Sequence, residues 1–390
     1  MTRFIHHLRR FAPATLLLGL VGSACEGPGD DACPKESGVA CVWLGTGELG
    51  LSEDGTHRLD ARLYWAMDVE FAKDGTSYVL DWNNHLVRHV DEDGRLQTVM
   101  GDFVGDGPPD ESDLTEPGAD GLTVSLNHPT DIQLTDDGHL ILAAWHNHKI
   151  RDLDLATGLV TVLCGRGAGY AGDDMPVDAA TLLNQPRSIV LDDDGSMYIL
   201  DQRNFRIRRL TPGWGTIETV AGNGTPGFSG DGGLATDAQL TFEAGSNPEP
   251  SGGLAIDGDM LYIADGLNHR IRRVDLTTGI IDTVVGTGEA GDAGAGGPGL
   301  EAQINQPRDI EVGPDGRLYF ADTENHKVKA WDPETGIVEH IAGSGENALG
   351  ADGVPATQIA LSRPMGIAFD FEGALYISDT YNSRIVRVEP

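Results

Sequence analysis

An all-β fold, a six-bladed β-propeller with four antiparallel strands per blade, is what this 390-residue sequence predicts. Three observations carry that expectation. A motif, fullest as Asp265-Gly266-Leu267-Asn268-His269-Arg270, recurs with its asparagine at Asn84, Asn147, Asn204, Asn268, Asn325 and Asn382, so that copies lie 57 to 64 residues apart. Near-constant spacing of this kind marks one supersecondary unit per copy. Each copy also spells short apolar runs parted by turn residues, without helical periodicity beyond the first 24 residues. Finally, the sixth copy stops after three runs, and a fourth of the right kind stands near the N-terminus.

The elements of a unit follow in constant order. The first strand often follows proline, as in Pro129-Thr130-Asp131-Ile132 and Pro307-Arg308-Asp309-Ile310. An acidic-Gly turn comes next: Asp74-Gly75, Asp137-Gly138, Asp194-Gly195, Asp257-Gly258, Asp315-Gly316 and Glu372-Gly373. Glycine there supplies the positive φ of a tight hairpin. A second strand such as Leu318-Tyr319-Phe320-Ala321 leads into the Asp-x-x-Asn turn, a third strand such as Ile271–Val274, a further glycine turn and a fourth strand such as Ile281–Val285. Val42-Trp43-Leu44-Gly45-Thr46-Gly47 matches Val284-Val285-Gly286-Thr287-Gly288, so the N-terminal strand is expected to complete the last blade. Such closure removes open sheet edges. A Gly-rich linker after each fourth strand repeats as well, fullest from Gly227 to Leu240; loops of this length either pack as caps or carry function.

Composition sets the address and excludes some partners. Arg3, Arg9 and Arg10 precede an apolar run from Phe11 to Val21 and then Gly22-Ser23-Ala24-Cys25. This describes a secretory signal of residues 1–24, too short to span a bilayer. Residues 25–40 then form a tether and residues 41–390 the propeller. With 27 Lys+Arg against 61 Asp+Glu, the net charge of −34 argues against nucleic acid and anionic lipid surfaces. Cys33 and Cys41 are candidates for a disulfide in an oxidising compartment, and Cys164, in the apolar run from Val160, reads as a buried core thiol.

The strings Asp265-Gly266-Leu267-Asn268-His269-Arg270-Ile271, Asp322-Thr323-Glu324-Asn325-His326-Lys327-Val328 and Asp379-Thr380-Tyr381-Asn382-Ser383-Arg384-Ile385 resemble NHL repeats of the bacterial secreted or lipoprotein type. The resemblance covers about 350 residues and implies the propeller and a binding platform, without implying a reaction. Departures from the pattern stand at Ala144, Phe205, Ser383 and Leu86. The small residues ending on Cys25 resemble a bacterial lipobox, which implies lipidation of Cys25 and an extracytoplasmic, lipid-anchored or secreted protein. Gly22 departs from that pattern.

Repetition also separates structural positions from functional ones. Asp and Asn at the repeated turns satisfy their own loop backbone. The symmetry-related His85, His148, His269 and His326 are held apart by the ring and do not converge on a metal. Arg88, Arg151, Arg208, Arg272, Lys329 and Arg387 on the third strands are expected to pair with neighbouring acids. The repeat breaks on the innermost strands, at Asp68, Asp131, Ser188, Gly253, Asp309 and Gly366, with Arg187 and Arg308 beside two of them. Breaks in a rule are where function is expected. Asp68, Asp131, Arg187, Arg308, Asp309 and Trp145 are therefore the candidate ligand-binding residues, with Trp82, His146 and Tyr381 on the same face. No catalytic residue and no cofactor is assigned; the three acids are compatible with Ca²⁺. The expected function is a non-catalytic, monomeric module that binds a protein or glycan on its top face. The alternative is a metal-dependent lyase or hydrolase above the central channel.

Overall fold

In a computed structural model, residues 36–102, 112–114, 117–178, 181–245 and 248–390 are described. The expected signal, Cys25 and Cys33 lie outside them. Cys41 is disulfide-bonded and Cys164 is a buried free thiol. Burial pushes the Cys164 thiol up to about 12, which makes it inert as a nucleophile.

Six sheets form the blades. In the first, Ala66–Phe71, Ser77–Asp81, Leu86–Val90 and Leu96–Met100 are hydrogen-bonded in that order. Blades two to five repeat the pattern, opening with Pro129–Leu134, Pro186–Leu191, Leu254–Asp257 and Pro307–Val312. The sixth holds Gly366–Phe369, Leu375–Asp379 and Arg384–Val388, and its fourth strand is Val39–Leu44 from the other end of the chain. The opening strands of successive blades touch one another around the axis, the sixth meeting the first. A core lies in each seam: Val69 and Val79 pack with Ala368, Tyr376 and Ile385 between blades one and six, and Leu200 and Ile207 with Leu254 and Ile263 between three and four.

The linkers were legible as repeats but not as strands. Ala119–Asp120, Met175–Pro176, Gly233–Leu234 and Val354–Pro355 each add a two-residue fifth strand to the outer edge of the blade that follows. Single bridges, His57 to Arg95 and Pro298 to Ile337, do the same for the other two. Backbone pairing alone makes these strands, so no side-chain pattern announces them. They cover edges that would otherwise template association.

The repeated turn is a clamp between blades. Asp81 accepts the Tyr64 amide at 2.7 Å through one oxygen and the Asn84 side-chain amide at 2.8 Å through the other. Asp201, Asp265, Asp322 and Asp379 do likewise. The residue after each asparagine is left-handed, from φ 49° at Ser383 to 58° at His85. Except at Phe205, its side chain accepts an amide of the neighbouring linker: Gln185 N–H reaches His148 Nδ1 at 3.0 Å, Gln306 reaches His269 at 3.2 Å and Arg363 reaches His326 at 3.1 Å. The departures are compensated locally. Where Ala144 lacks the carboxylate, Asn147 Oδ1 accepts the Asn127 amide instead, and Ser383 Oγ replaces histidine in accepting from Trp65. Buried Arg88, Arg208, Arg272 and Lys329 pair with linker acids Asp54, Asp173, Asp231 and Asp292 at 2.6–3.0 Å. In blade six Arg387 pairs with neighbouring acids as expected, though from a different register. Val386 occupies the register of Arg88, so Arg384 turns inward to Asp379 at 2.7 Å while Arg387 faces Asp370 and Glu389.

Candidate functional site

The sequence candidates divide between two levels of the axis. Each innermost strand starts beside the repeated turn and ends at the acidic-Gly hairpin, since Ala66 pairs with Asp81 and Phe71 with Ser77. Residues early in the strand therefore lie near the turn-bearing top face and later ones near the opposite face. Asp68, Asp131 and Asp309 face the channel below its upper end. Each holds a backbone amide: Asp68 that of Ile132 at 3.1 Å, Asp131 that of Ile189 at 2.8 Å and Asp309 that of Ile367 at 2.8 Å. Ser188 accepts from Leu254 at 3.1 Å in the same way. Where Gly253 and Gly366 stand, no side chain reaches the next blade. The break in the repeat has a packing reason there: a Cβ at either glycine would collide with the neighbouring inner strand.

One step above, Arg187 crosses the channel. It is 2% exposed and donates to the carbonyls of Thr130 at 3.2 Å and Met365 at 3.3 Å, joining three blades. Its charge also favours the ionised forms of Asp131 and Asp309, yet burial outweighs it and pushes their carboxyls up to about 7 and about 6. Asp68 is raised further by burial and by its two neighbours. Lower in the channel, Glu70 and Glu311 keep partial access to water. Burial, reinforced by the other carboxylates, lifts Glu70 to about 8 and Glu311 well above its ordinary range. Sequence reasoning missed both glutamates, although each stands two positions after a candidate aspartate and so shares its face.

The top face holds a cavity of about 180 Å³ lined by Trp65, Met67, Trp82, His128, Trp145, His146, Met365, Thr380, Tyr381 and a strap of Pro248, Glu249 and Pro250. The four aromatic and histidine residues noted on this face, Trp82, Trp145, His146 and Tyr381, all line it. Its wall is a continuous belt of rings from blades six, one and two. Trp65 stacks between Tyr381 at 4.6 Å and Trp82 at 5.7 Å, with interplanar angles of 16° and 20°. Arg363 covers Tyr381 at 4.5 Å, His128 tilts against Trp82 at 4.5 Å, and His146 stacks on Trp145 at 4.1 Å. Trp145 is fully buried, its Nε1 donating to Gln202 at 3.1 Å.

Opposite the belt, Glu249 pins the strap. It receives Arg308 at 2.8 Å, Arg363 at 2.7 and 3.3 Å, and the Tyr381 hydroxyl at 3.2 Å. Burial opposes ionisation of Glu249, but the two guanidiniums more than reverse that and hold its carboxyl at about 2. Arg308 also donates to the Pro250 carbonyl. Trp65, Arg363 and Glu249 were missed because they stand in linkers, where the copies do not align. Trp65 and Arg363 share a structural mark: Trp65, His128, Gln185 and Gln306 directly precede an innermost strand, Arg363 stands three residues before one, and all are left-handed, with φ of 48° to 64°. That backbone is costly for such residues and recurs at functional sites.

No protein-family model matches the chain. It is 29% identical over 278 residues to Suppressor of Quenching 1, a chloroplastic protein of Arabidopsis thaliana, covering 68% of this chain and 24% of that protein. Against human NHL repeat-containing protein 2 the identity is 28% over 288 residues, covering 67% and 38%. The chain thus spans well under half the length of these relatives. Among solved structures, an auxiliary nutrient binding protein from Bacteroides ovatus superposes with a TM-score of 0.62 at 19% identity, over 90% of this chain and 76% of the other. These likenesses, with the six blades, support an NHL-type six-bladed β-propeller.

Proposed function

We propose that this propeller is a non-catalytic binding module of the bacterial cell envelope, tethered through Cys25 and taking its ligand at the aromatic mouth of the top face. The observation that carries the reading is the cavity between the ring belt of blades six, one and two and the Glu249 strap, which together build one asymmetric recess. Concave, largely apolar recesses with a few fixed polar groups are the usual form of ligand sites. The likeness to a solved nutrient binding protein supports a binding role for the scaffold. The candidate acids of the channel serve the ring instead, each holding an amide of the next blade.

Binding of the full chain to a glycan array and to a displayed peptide library tests the reading. Trp65→Ala is expected to weaken whatever ligand is captured at least tenfold. Capture that is unchanged in this variant refutes the mouth as the site. For the tether, mass spectrometry of the mature protein is expected to show acylated Cys25 as its first residue; an unmodified cysteine refutes the anchor.

A further inference from the structure

We infer that the mouth receives a large apolar side chain presented by a basic segment of a partner protein. The inference rests on the mouth being the binding site and adds the class of occupant. Three properties of the cavity lead to it.

The first is size. A recess of about 180 Å³ is smaller than the roughly 300–1,000 Å³ that enclose a drug-sized ligand. It admits one side-chain-sized group, with the remainder of the ligand lying outside. That is the form of an anchor pocket at a protein interface, where a single desolvated residue dominates affinity.

The second is the orientation of the rings. Tyr381 packs against Arg363 and Trp65, and Trp65 stacks against Tyr381 and Trp82. Trp82 is covered by Trp65 and His128. Ring faces in the belt are thus engaged by neighbouring rings and by Arg363. Sugar rings and quaternary ammonium groups are held on aromatic faces, where the negative charge of the quadrupole lies, and the rings of Tyr381, Trp65 and Trp82 already stack on one another and under Arg363.

The third is hydrogen bonding. A carboxylate has about four acceptor sites, and those of Glu249 already receive three guanidinium N–H groups and the Tyr381 hydroxyl. Thr380 Oγ1 donates to the Ser378 carbonyl. His128 contacts Asn83 and Asn127 at 3.0 and 2.7 Å. Trp82 Nε1 is buried and lacks a partner. A hydroxyl buried here would lose its bonds to water without replacement, at a cost of about 1–3 kcal/mol each, whereas an apolar group gives up only unfavourable hydration. The rigid belt also lowers the ordering cost of binding. Charge then selects the segment around the anchor, because a protein of net −34 attracts basic partners and repels acidic ones.

The test is a selection of displayed random peptides on the full chain, run beside a neutral and acidic glycan array. Selected peptides are expected to carry one Phe, Leu, Ile, Met or Trp among Lys and Arg. A synthetic copy should weaken at least tenfold when that apolar residue becomes Ala, and at least threefold between 50 and 500 mM salt. Met67→Phe, which fills the recess floor, should abolish binding, and Glu249→Gln should weaken it while leaving the ring folded. Peptides that bind equally to both variants overturn the inference and the mouth together. A glycan bound by the wild type and lost in Met67→Phe overturns the inference and leaves the mouth as the site. Failure to select any peptide also overturns it.

Discussion

Replacing Glu70 with Gln should stabilise the propeller at pH 8 and leave it unchanged at pH 4.5. Glu70 stands in the channel among carboxylates, and its folded pKa is about 8 against an ordinary 4.5. An acid raised in this way binds its proton more tightly folded than unfolded. Its contribution is therefore neutral below the unfolded pKa, and stability is lost as pH rises from about 4.5 to about 8. At about 1.36 kcal/mol per unit, the shift bounds the loss at roughly 5 kcal/mol. Water in the channel and proton sharing with Asp131 and Asp309 reduce it to the order of 1–3 kcal/mol. For about 350 ordered residues, an unfolding entropy near 2.1 cal/mol/K per residue converts this to a Tm rise of about 1–4 °C in the variant at pH 8. Scanning calorimetry of wild type and Glu70→Gln at pH 4.5, 6 and 8 measures it. The difference between the two proteins matters, since His148, His269 and His326, lowered by burial, contribute the opposite slope in both. A variant less stable than wild type at pH 8, or a gain of the same size at pH 4.5, refutes the account of the channel.

Other outcomes follow from the same geometry. His269→Ala orphans the Gln306 amide and should cost about 1–3 kcal/mol above pH 6.5. Because His269 must be neutral to accept, this deficit should shrink as pH falls below 6.5; a pH-independent deficit contradicts the clamp. Gly286→Ala drives a Cβ into the His269 carbonyl at a φ of 101°, so a denaturant midpoint lower by at least about 1–3 kcal/mol of stability is expected. Millimolar Ca²⁺ should move Tm by less than about 1 °C, because Asp68, Asp131 and Asp309 hold amides and share the channel with the Arg187 cation; a saturable rise of several degrees would favour a metal there. Deleting residues 39–44 should lower Tm sharply, since the last blade then lacks its fourth strand.

How far the molecule could be read from its sequence depended on what each residue repeats with. Six copies of the repeated turn, five of them Asp-x-x-Asn, disclosed six blades because every copy serves one mechanical purpose, holding an amide of the linker that precedes its blade. The same regularity exposed Trp82, Trp145, His146 and Tyr381 as odd members of repeated turns. Trp65, Glu249 and Arg363 were hidden, for linkers vary in length and offer no register to compare. Asp68, Asp131 and Asp309 drew attention by differing from Ser188, Gly253 and Gly366. Their difference reflects which seams have room for a side chain, a property of inner-strand spacing that no single sequence displays.

The chain has six tryptophans, at 43, 65, 82, 145, 214 and 331, and their indole N–H signals form a direct test of where ligand binds. Titration of a selected basic peptide into full-length ¹⁵N-tryptophan-labelled protein should shift Trp65 and Trp82 strongly and Trp145 less, leaving Trp43, Trp214 and Trp331 in place. Shifts confined to the last three would place the ligand away from the mouth and contradict the account.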